Sequence, residues 1–329
     1  MSIYRAVFRN ALKLTWQFKY LWFFGIFAAL VGNVGEFNLA LENFPRVSKN
    51  ASFLEVLRAT YQQGWFGSFW YNFKELITSF DLLGLILMLV LIGLILFLIW
   101  LAVVCQGGLF ATAYKIFKKK KVSFSESFMA GRQNFWSVLW LNIIFKILIV
   151  VLWIVFGLPL VFLYLSNGAP GIQALFVILS FIVLLPVTIV FSFIIKYAIL
   201  YTVTSKVKIK EALAKAWNLF IKNWLVSLEV AIILFLVSIV FIIAVFLVMT
   251  LVFLPFSFLI DITAGANLVG MAYSIFVVAM VVLVLLVFWL ASMWSVFMHS
   301  AWAILFTRIS EGQVIAKLVR MFHGEPQIE

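Results

Sequence analysis

From Leu82 to Tyr114, from Ile147 to Ile195, from Val230 to Ile260 and from Ile262 to Thr307, the chain carries no Asp, Glu, Lys or Arg. A helix crosses bilayer hydrocarbon with about 20 apolar residues at roughly 1.5 Å rise each, so every one of these stretches can span a membrane. A soluble fold could not hide the remainder either. Of 329 residues, 66% are hydrophobic and 11% charged, and the mean hydropathy is +1.19. Soluble domains sit near half and a quarter. The expected class is all-α, a polytopic membrane helix bundle.

Turn residues divide the stretches. Ser166-Asn167-Gly168-Ala169-Pro170-Gly171 splits the second into a span from near Trp136 and another from about Ala174 to Thr204. Pro255 and the run Asp261 to Asn267 are expected to form another turn, between a span from near Trp224 and one from near Leu268. With Leu82 onward and a shorter segment from Tyr20 to Val34, about six transmembrane helices are expected. The basic start before that short segment also fits a signal peptide. No small-x-small cleavage site follows cleanly, so it is read as a span.

Orientation follows from the 24 Lys and Arg. With the N-terminus cytoplasmic, Arg5, Arg9, Lys13, Lys19, Lys115, Lys118 to Lys121, Arg132, Lys206, Lys208, Lys210, Lys215, Lys222, Arg308, Lys317 and Arg320 all fall inside. Only Arg46, Lys49, Arg58 and Lys74 fall outside, and Lys146 and Lys196 lie within spans. Cations in short flanking loops stay cytoplasmic, so both ends are expected inside, in a bacterial or archaeal plasma membrane. The net charge of +12 then reports topology and contact with anionic headgroups, and no nucleic-acid partner is expected. Lys118, Lys119, Lys120, Lys121, Lys210, Lys215 and Lys222 are the expected lipid contacts. A membrane-protein partner or a second copy of the chain would fit the same setting.

Each outward-going span follows a basic amphipathic stretch. Ile3, Val7, Ala11, Leu14 and Phe18 recur at helical spacing beside Arg5, Arg9 and Lys13. After the capping box Ser123-Phe124-Ser125-Glu126 come Phe128, Arg132, Phe135, Trp136 and Leu139. Leu213, Trp217, Phe220, Ile221 and Trp224 oppose Lys210, Lys215, Asn218 and Lys222. Such helices are expected flat in the headgroup plane, apolar side down. Ala11 to Phe18 parallels Ala212 to Leu219, Glu126 to Gly131 parallels Glu211 to Ala216, and Leu109-Phe110-Ala111, Leu200-Tyr201-Thr202 and Leu305-Phe306-Thr307 end the returning spans alike. The expected unit is one interfacial helix plus one hairpin, used three times within a single membrane domain. The units are 1–121 with an outer-side insertion at 36–80, then 122–205 and 206–307, followed by a tail at 308–329.

Val207-Lys208-Ile209-Lys210-Glu211-Ala212-Leu213-Ala214-Lys215-Ala216-Trp217 with Lys222-Asn223-Trp224 resembles the membrane-domain family named after glycerophosphoryl diester phosphodiesterase, and related multi-helix bacterial membrane proteins. Val122 to Phe128 with Asn134-Phe135-Trp136 is similar to a second copy. In that family the chemistry belongs to a soluble domain sometimes fused to the membrane part. The resemblance covers the membrane part alone, so it implies a helical membrane fold, and no enzymatic activity is expected.

The insertion holds two more capping boxes, Ser52 to Glu55 and Asn72 to Glu75, around the aromatic run Gly64 to Tyr71. Two short helices on the outer leaflet are expected, with a lid over the bundle as the functional alternative. Asn50-Ala51-Ser52 matches a glycosylation sequon, a triplet too short to carry weight.

Polar groups inside spans need a reason, because charges there are costly. Lys146, Lys196 and Glu229, with Asn142, Gln106 and His299, are the candidates for a ligand or ion-path cluster in the inner half. The plainer reading is snorkelling of the two lysines and a favourable Glu near a helix start. With two His and one Cys, Cys105, neither a metal cage nor a disulfide is expected, and no cofactor. The expected function is non-catalytic engagement of lipids or partners, with a small transporter of an anionic or amphipathic solute as the alternative.

Overall fold

A computed structural model describes residues 3–31, 82–165 and 170–312, and every regular element among them is helical. In chain order these are α1 (Ile3–Gln17), α2 (Leu21–Val31), α3 (Leu82–Phe117), α4 (Phe124–Gln133), α5 (Phe135–Leu165), α6 (Pro170–Ser205), α7 (Ile209–Lys222), α8 (Trp224–Gly265) and α9 (Val269–Ser310). The insertion at 36–80, the turn residues 166–169 and most of the tail, Lys317 and Arg320 included, lie outside the described residues.

Five helices, α3, α5, α6, α8 and α9, are long and apolar enough to cross a membrane. Hydropathy of this kind is the mark of a membrane-embedded chain. The sixth expected span is represented by α2, whose 11 residues cover about 16 Å, half a hydrocarbon thickness. Span starts fall where the sequence puts them, at Phe135, Trp224 and Val269. Pro255 does not. It sits inside α8, which runs on to Gly265. Proline removes one backbone bond and does not end the helix, because an apolar medium offers the freed carbonyls nothing better than neighbouring donors. The turn is made instead by Asn267 at φ 58, with Leu268 N–H donating to Thr263 O (2.9 Å) and Asn267 N–H to Ala264 O (3.0 Å). That double bond pattern around a left-handed residue is a Schellman motif. Lys119, also at φ 58, ends α3 in the same way, with Lys120 N–H to Lys115 O and Lys119 N–H to Ile116 O.

Two compact units can be told apart. The first comprises Met1–Val31, Ala102–Phe135 and Lys196–Glu329; the second comprises Gly32–Leu101 and Trp136–Ile195. In the first, α9 is central and packs on α1, α2 and α8. Backbones approach closely at two crossings. A Cβ added to Gly25 would lie 2.4 Å from Ser292 O, and one added to Gly131 would lie 2.0 Å from Val104 O. Small residues permit such approaches, which is how apolar helices gain contact when lipid competes for every large side chain. Ser292 Oγ also donates to Trp22 O, and Thr112 Oγ1 donates to Ser127 Oγ at 2.7 Å.

The short helices are built by local rules. Ser123 caps α4 with a reciprocal box, Glu126 N–H to Ser123 Oγ and Ser123 N–H to Glu126 Oε2, both 3.3 Å. Between α4 and α5 stands Asn134, and between α7 and α8 stands Asn223. At both, the side-chain amide donates to the carbonyl four residues back, Ala130 O at 2.8 Å and Leu219 O at 3.1 Å. Each Asn thus satisfies a carbonyl left open where an amphipathic helix stops and an apolar one begins.

Candidate functional site

Each short helix turns small residues to the protein, and in α1 the buried Val7, Ala11 and Leu14 belong to the expected apolar stripe. Helix α7 buries Ala212 and Ala216, both 0% exposed, and leaves Trp217 and Ile221 out at 47% and 52%. Helix α4 buries Ser127 and Gly131 and leaves Phe124 and Met129 exposed. In α1 the buried pair is Ala11 and Thr15, together with Val7 and Leu14, while Leu12 and Trp16 are exposed. All three dock through small residues four apart. The aromatic and cationic sides stay outward.

The cationic positions are open accordingly. Lys119, Lys120, Lys121, Lys210 and Lys222 are exposed. Lys215, also exposed, pairs with Glu211 at 2.7 Å. Lys118 stands over the Tyr114 ring (5.0 Å) and pairs with Glu311 at 3.1 Å, joining the ends of α3 and α9. The Tyr114 hydroxyl first and Glu311 second hold the Lys118 ammonium above its ordinary titration range.

Of the six residues expected to form an inner polar cluster, the structure relates two. Lys196 on α6 is half-buried, with its Nζ 4.6 Å from the centroid of Trp302, and it lies within electrostatic reach of the His299 ring. Among the described residues no carboxylate stands within ion-pairing distance of it. His299 Nδ1 is 2.7 Å from Ser295 O. A carbonyl only accepts, so Nδ1 carries the proton and a neutral ring presents Nε2 as an acceptor. The Phe110 ring lies 4.7 Å from it. Gln106 is buried on α3, and Glu229 is half-buried on α8. Lys146 is exposed on α5, and Asn142 donates to Val138 O at 2.9 Å; both belong to the second unit.

The sequence reading missed the surroundings of Lys196. Trp302 is 3% exposed, and Tyr197 is fully buried, its hydroxyl 2.8 Å from Ser227 Oγ and its ring 6.2 Å from Trp302. Ser300 Oγ is buried with no hydrogen-bond partner among the described residues. A signal was available: Ser292, Ser295, His299, Ala303 and Thr307 recur every three or four positions, a stripe of small and polar residues on an otherwise oily helix. Such an arrangement can hold an anion or a phosphate oxygen through one ammonium stabilised by a ring face. No group of three His, Cys, Asp or Glu placed to hold a metal occurs among the described residues.

Comparison with family models, with curated proteins and with solved structures gives no match.

Proposed function

We propose that this is a non-catalytic integral membrane protein that engages anionic lipid headgroups through three basic helices. Each of these helices introduces a hairpin of spans, giving six spans with both ends in the cytoplasm of a bacterial or archaeal cell. The observation that carries the reading is the threefold use of one device. Ala11/Thr15, Ser127/Gly131 and Ala212/Ala216 dock, while Trp16, Met129 and Trp217 remain exposed beside cationic side chains. A soluble protein has no use for a Trp held outward next to Lys. At a headgroup layer both groups are favoured.

Each lysine beside anionic lipid contributes about 1 kcal/mol, so replacing Lys210, Lys215 and Lys222 with Gln weakens headgroup binding roughly a hundredfold at low salt. The test is native mass spectrometry of the full chain released from mixed micelles, counting retained phosphatidylglycerol. Unchanged retention would end the proposal.

Lys196 supports a second reading, passage of an anionic or amphipathic solute, because its ammonium lies against Trp302 with no carboxylate at ion-pairing distance among the described residues. Lys196→Met abolishes anion flux in proteoliposomes under that reading. Flux that is absent from the wild type, or unaffected by the change, dismisses it.

A further inference from the structure

Three long helices each change surroundings part-way along their length. On α3 the side chains from Leu89 to Phe97 are exposed, and every residue from Leu101 to Ala113 is buried. On α9 only Ala272 and Ala279 are buried before Ser292, and from Ser292 to Ile309 no residue is exposed. Helix α8 runs the other way, burying Val226, Val230 and Leu234, then only Thr263 beyond Phe235. Trp100, Trp289 and Trp294 stand at the change. Trp22 packs on Trp289 at 5.8 Å, and Trp16 on Trp22 at 6.0 Å.

Whole-helix length rules out hydrocarbon on all sides. Helices α3 and α9, with 36 and 42 residues, are about 54 and 63 Å long, against roughly 30 Å of hydrocarbon and 40–45 Å with headgroups. The segments 82–100 and 269–291 alone measure about 28 and 34 Å, which fits the hydrocarbon. Burial explains why the change occurs there. Lipid tails are as apolar as Leu, so a span gains little by covering itself with protein inside the bilayer. Below the bilayer each uncovered Å² of apolar surface costs about 25 cal/mol, and cover must come from the chain. Helices α1, α2 and α4 supply it. On these helices the buried polar side chains Gln106, Thr112, Ser227, Ser292, Ser295, Ser300 and Thr307 lie on the covered part, and Thr263 alone among the described residues lies on a bare one.

We infer that bilayer hydrocarbon ends near Trp289 and Trp294 on α9, where Phe241 of α8 stacks on Trp294, and is what occupies the bare faces of α8 and α9 beyond them. The covered inner part of these helices, wrapped by α1, α4, α7 and the first turns of α2, is a packed base standing in the headgroup layer and adjoining water. The basic helices are therefore side walls of that base, and Lys196 with His299 belongs to a water-side site. The depth follows from burial and length, and it rests on the proposed function only for the side on which the base stands.

The test uses the full-length protein in phosphatidylethanolamine and phosphatidylglycerol liposomes, with bimane on Ile232→Cys, Ile243→Cys or Leu285→Cys, all exposed positions. Nitroxide lipids carry the quencher at the headgroup or at mid-chain. Ile243 and Leu285 are quenched more by the mid-chain label, and at Ile232 the stronger quencher shifts to the headgroup. Trp224→Cys gives a second reading of the base should Ile232→Cys misfold. Mid-chain quenching at Ile232 and Trp224 equal to that at Ile243 overturns the inference. Impermeant maleimide on Lys215→Cys in right-side-out vesicles reads the side separately. Labelling there refutes the cytoplasmic orientation while the quenching result upholds the depth.

Discussion

Gly131→Ala is a severe perturbation for the addition of one methyl group. The new Cβ would sit 2.0 Å from Val104 O, 2.9 Å from Val104 C and 3.0 Å from Gly108 N, all backbone atoms of α3. Ordinary contact begins at 3.4 Å, so α4 and α3 must part by roughly 1.4 Å, and no side-chain rotation can absorb the clash. Parting them also stretches the 2.7 Å bond from Thr112 Oγ1 to Ser127 Oγ. Overpacking of this kind costs about 1–3 kcal/mol, and a buried hydrogen bond left unmade adds about 1 kcal/mol. Against this, alanine gains up to about 1 kcal/mol over glycine in helix propensity. The net expectation is a loss of about 2 kcal/mol. Gly93→Ala is the internal control, since Gly93 is helical with nothing within 4 Å of its Cβ position. It keeps the propensity gain and loses nothing, so it raises stability by up to about 1 kcal/mol. Thermal unfolding of both variants in nanodiscs, followed by near-UV circular dichroism, gives opposite shifts. A Gly131→Ala protein as stable as the wild type would refute the account of α4 docking by backbone approach.

Four further outcomes are expected. Ser123→Ala removes the cap of α4 and costs about 1 kcal/mol in the same assay, whereas Ser125→Ala, one turn position over and outside the box, costs a few tenths. Lys119→Gly relieves a left-handed lysine and stabilises by about 1 kcal/mol; an unchanged melting temperature would show that the Schellman bonds do not fix that conformation. Tyr197→Phe removes the hydroxyl bond to Ser227 Oγ, which keeps its bond to Asn223 O, and lowers stability by about 1 kcal/mol, with a double cycle to Ser227→Ala showing coupling between the two. The Lys118 ammonium titrates above the ordinary lysine value of 10.5, held there by Tyr114 and then Glu311. A raised value means that its stabilisation is complete below pH 10.5 and is lost as pH climbs through the folded value. Melting temperature should therefore fall more steeply above pH 10.5 in the wild type than in Lys118→Met, and identical slopes would count against the latch.

The sequence and the structure agree where charge decides and part where shape decides. The spans were readable because a charged side chain cannot enter hydrocarbon cheaply, so long uncharged runs mark them, although α5 begins 12 residues before the run at Ile147 and α8 begins six before the run at Val230. The amphipathic helices were readable for the same reason. Their docking face was not. Periodicity marks Trp217, Phe220 and Ile221 as the apolar side, and a bilayer satisfies such side chains as well as a protein does. What a bilayer cannot replace is backbone approach across Ala212, Ala216, Ser127 and Gly131, and that is a property of missing atoms. Small residues carry little weight in any hydrophobic pattern, and here they decide the packing.

The same distinction explains what was and was not legible at Lys196. Its presence in an apolar run was conspicuous, and so was His299. Their association could not be derived, because it depends on the register of α6 against α9, which no local pattern encodes. Once that register is given, Trp302 lies against the ammonium and Tyr197 against Trp302, with Ser227 completing the polar end of the chain of contacts. Trp302 is 3% exposed. It packs, but its ring face also replaces the carboxylate that a buried lysine ordinarily requires, and a cation held by a ring instead of a carboxylate keeps its charge available to an incoming anion. With the proposed depth, Lys196 and His299 are parts of a covered base, and their cost is met by the Trp302 ring face and the bond to Ser295 O.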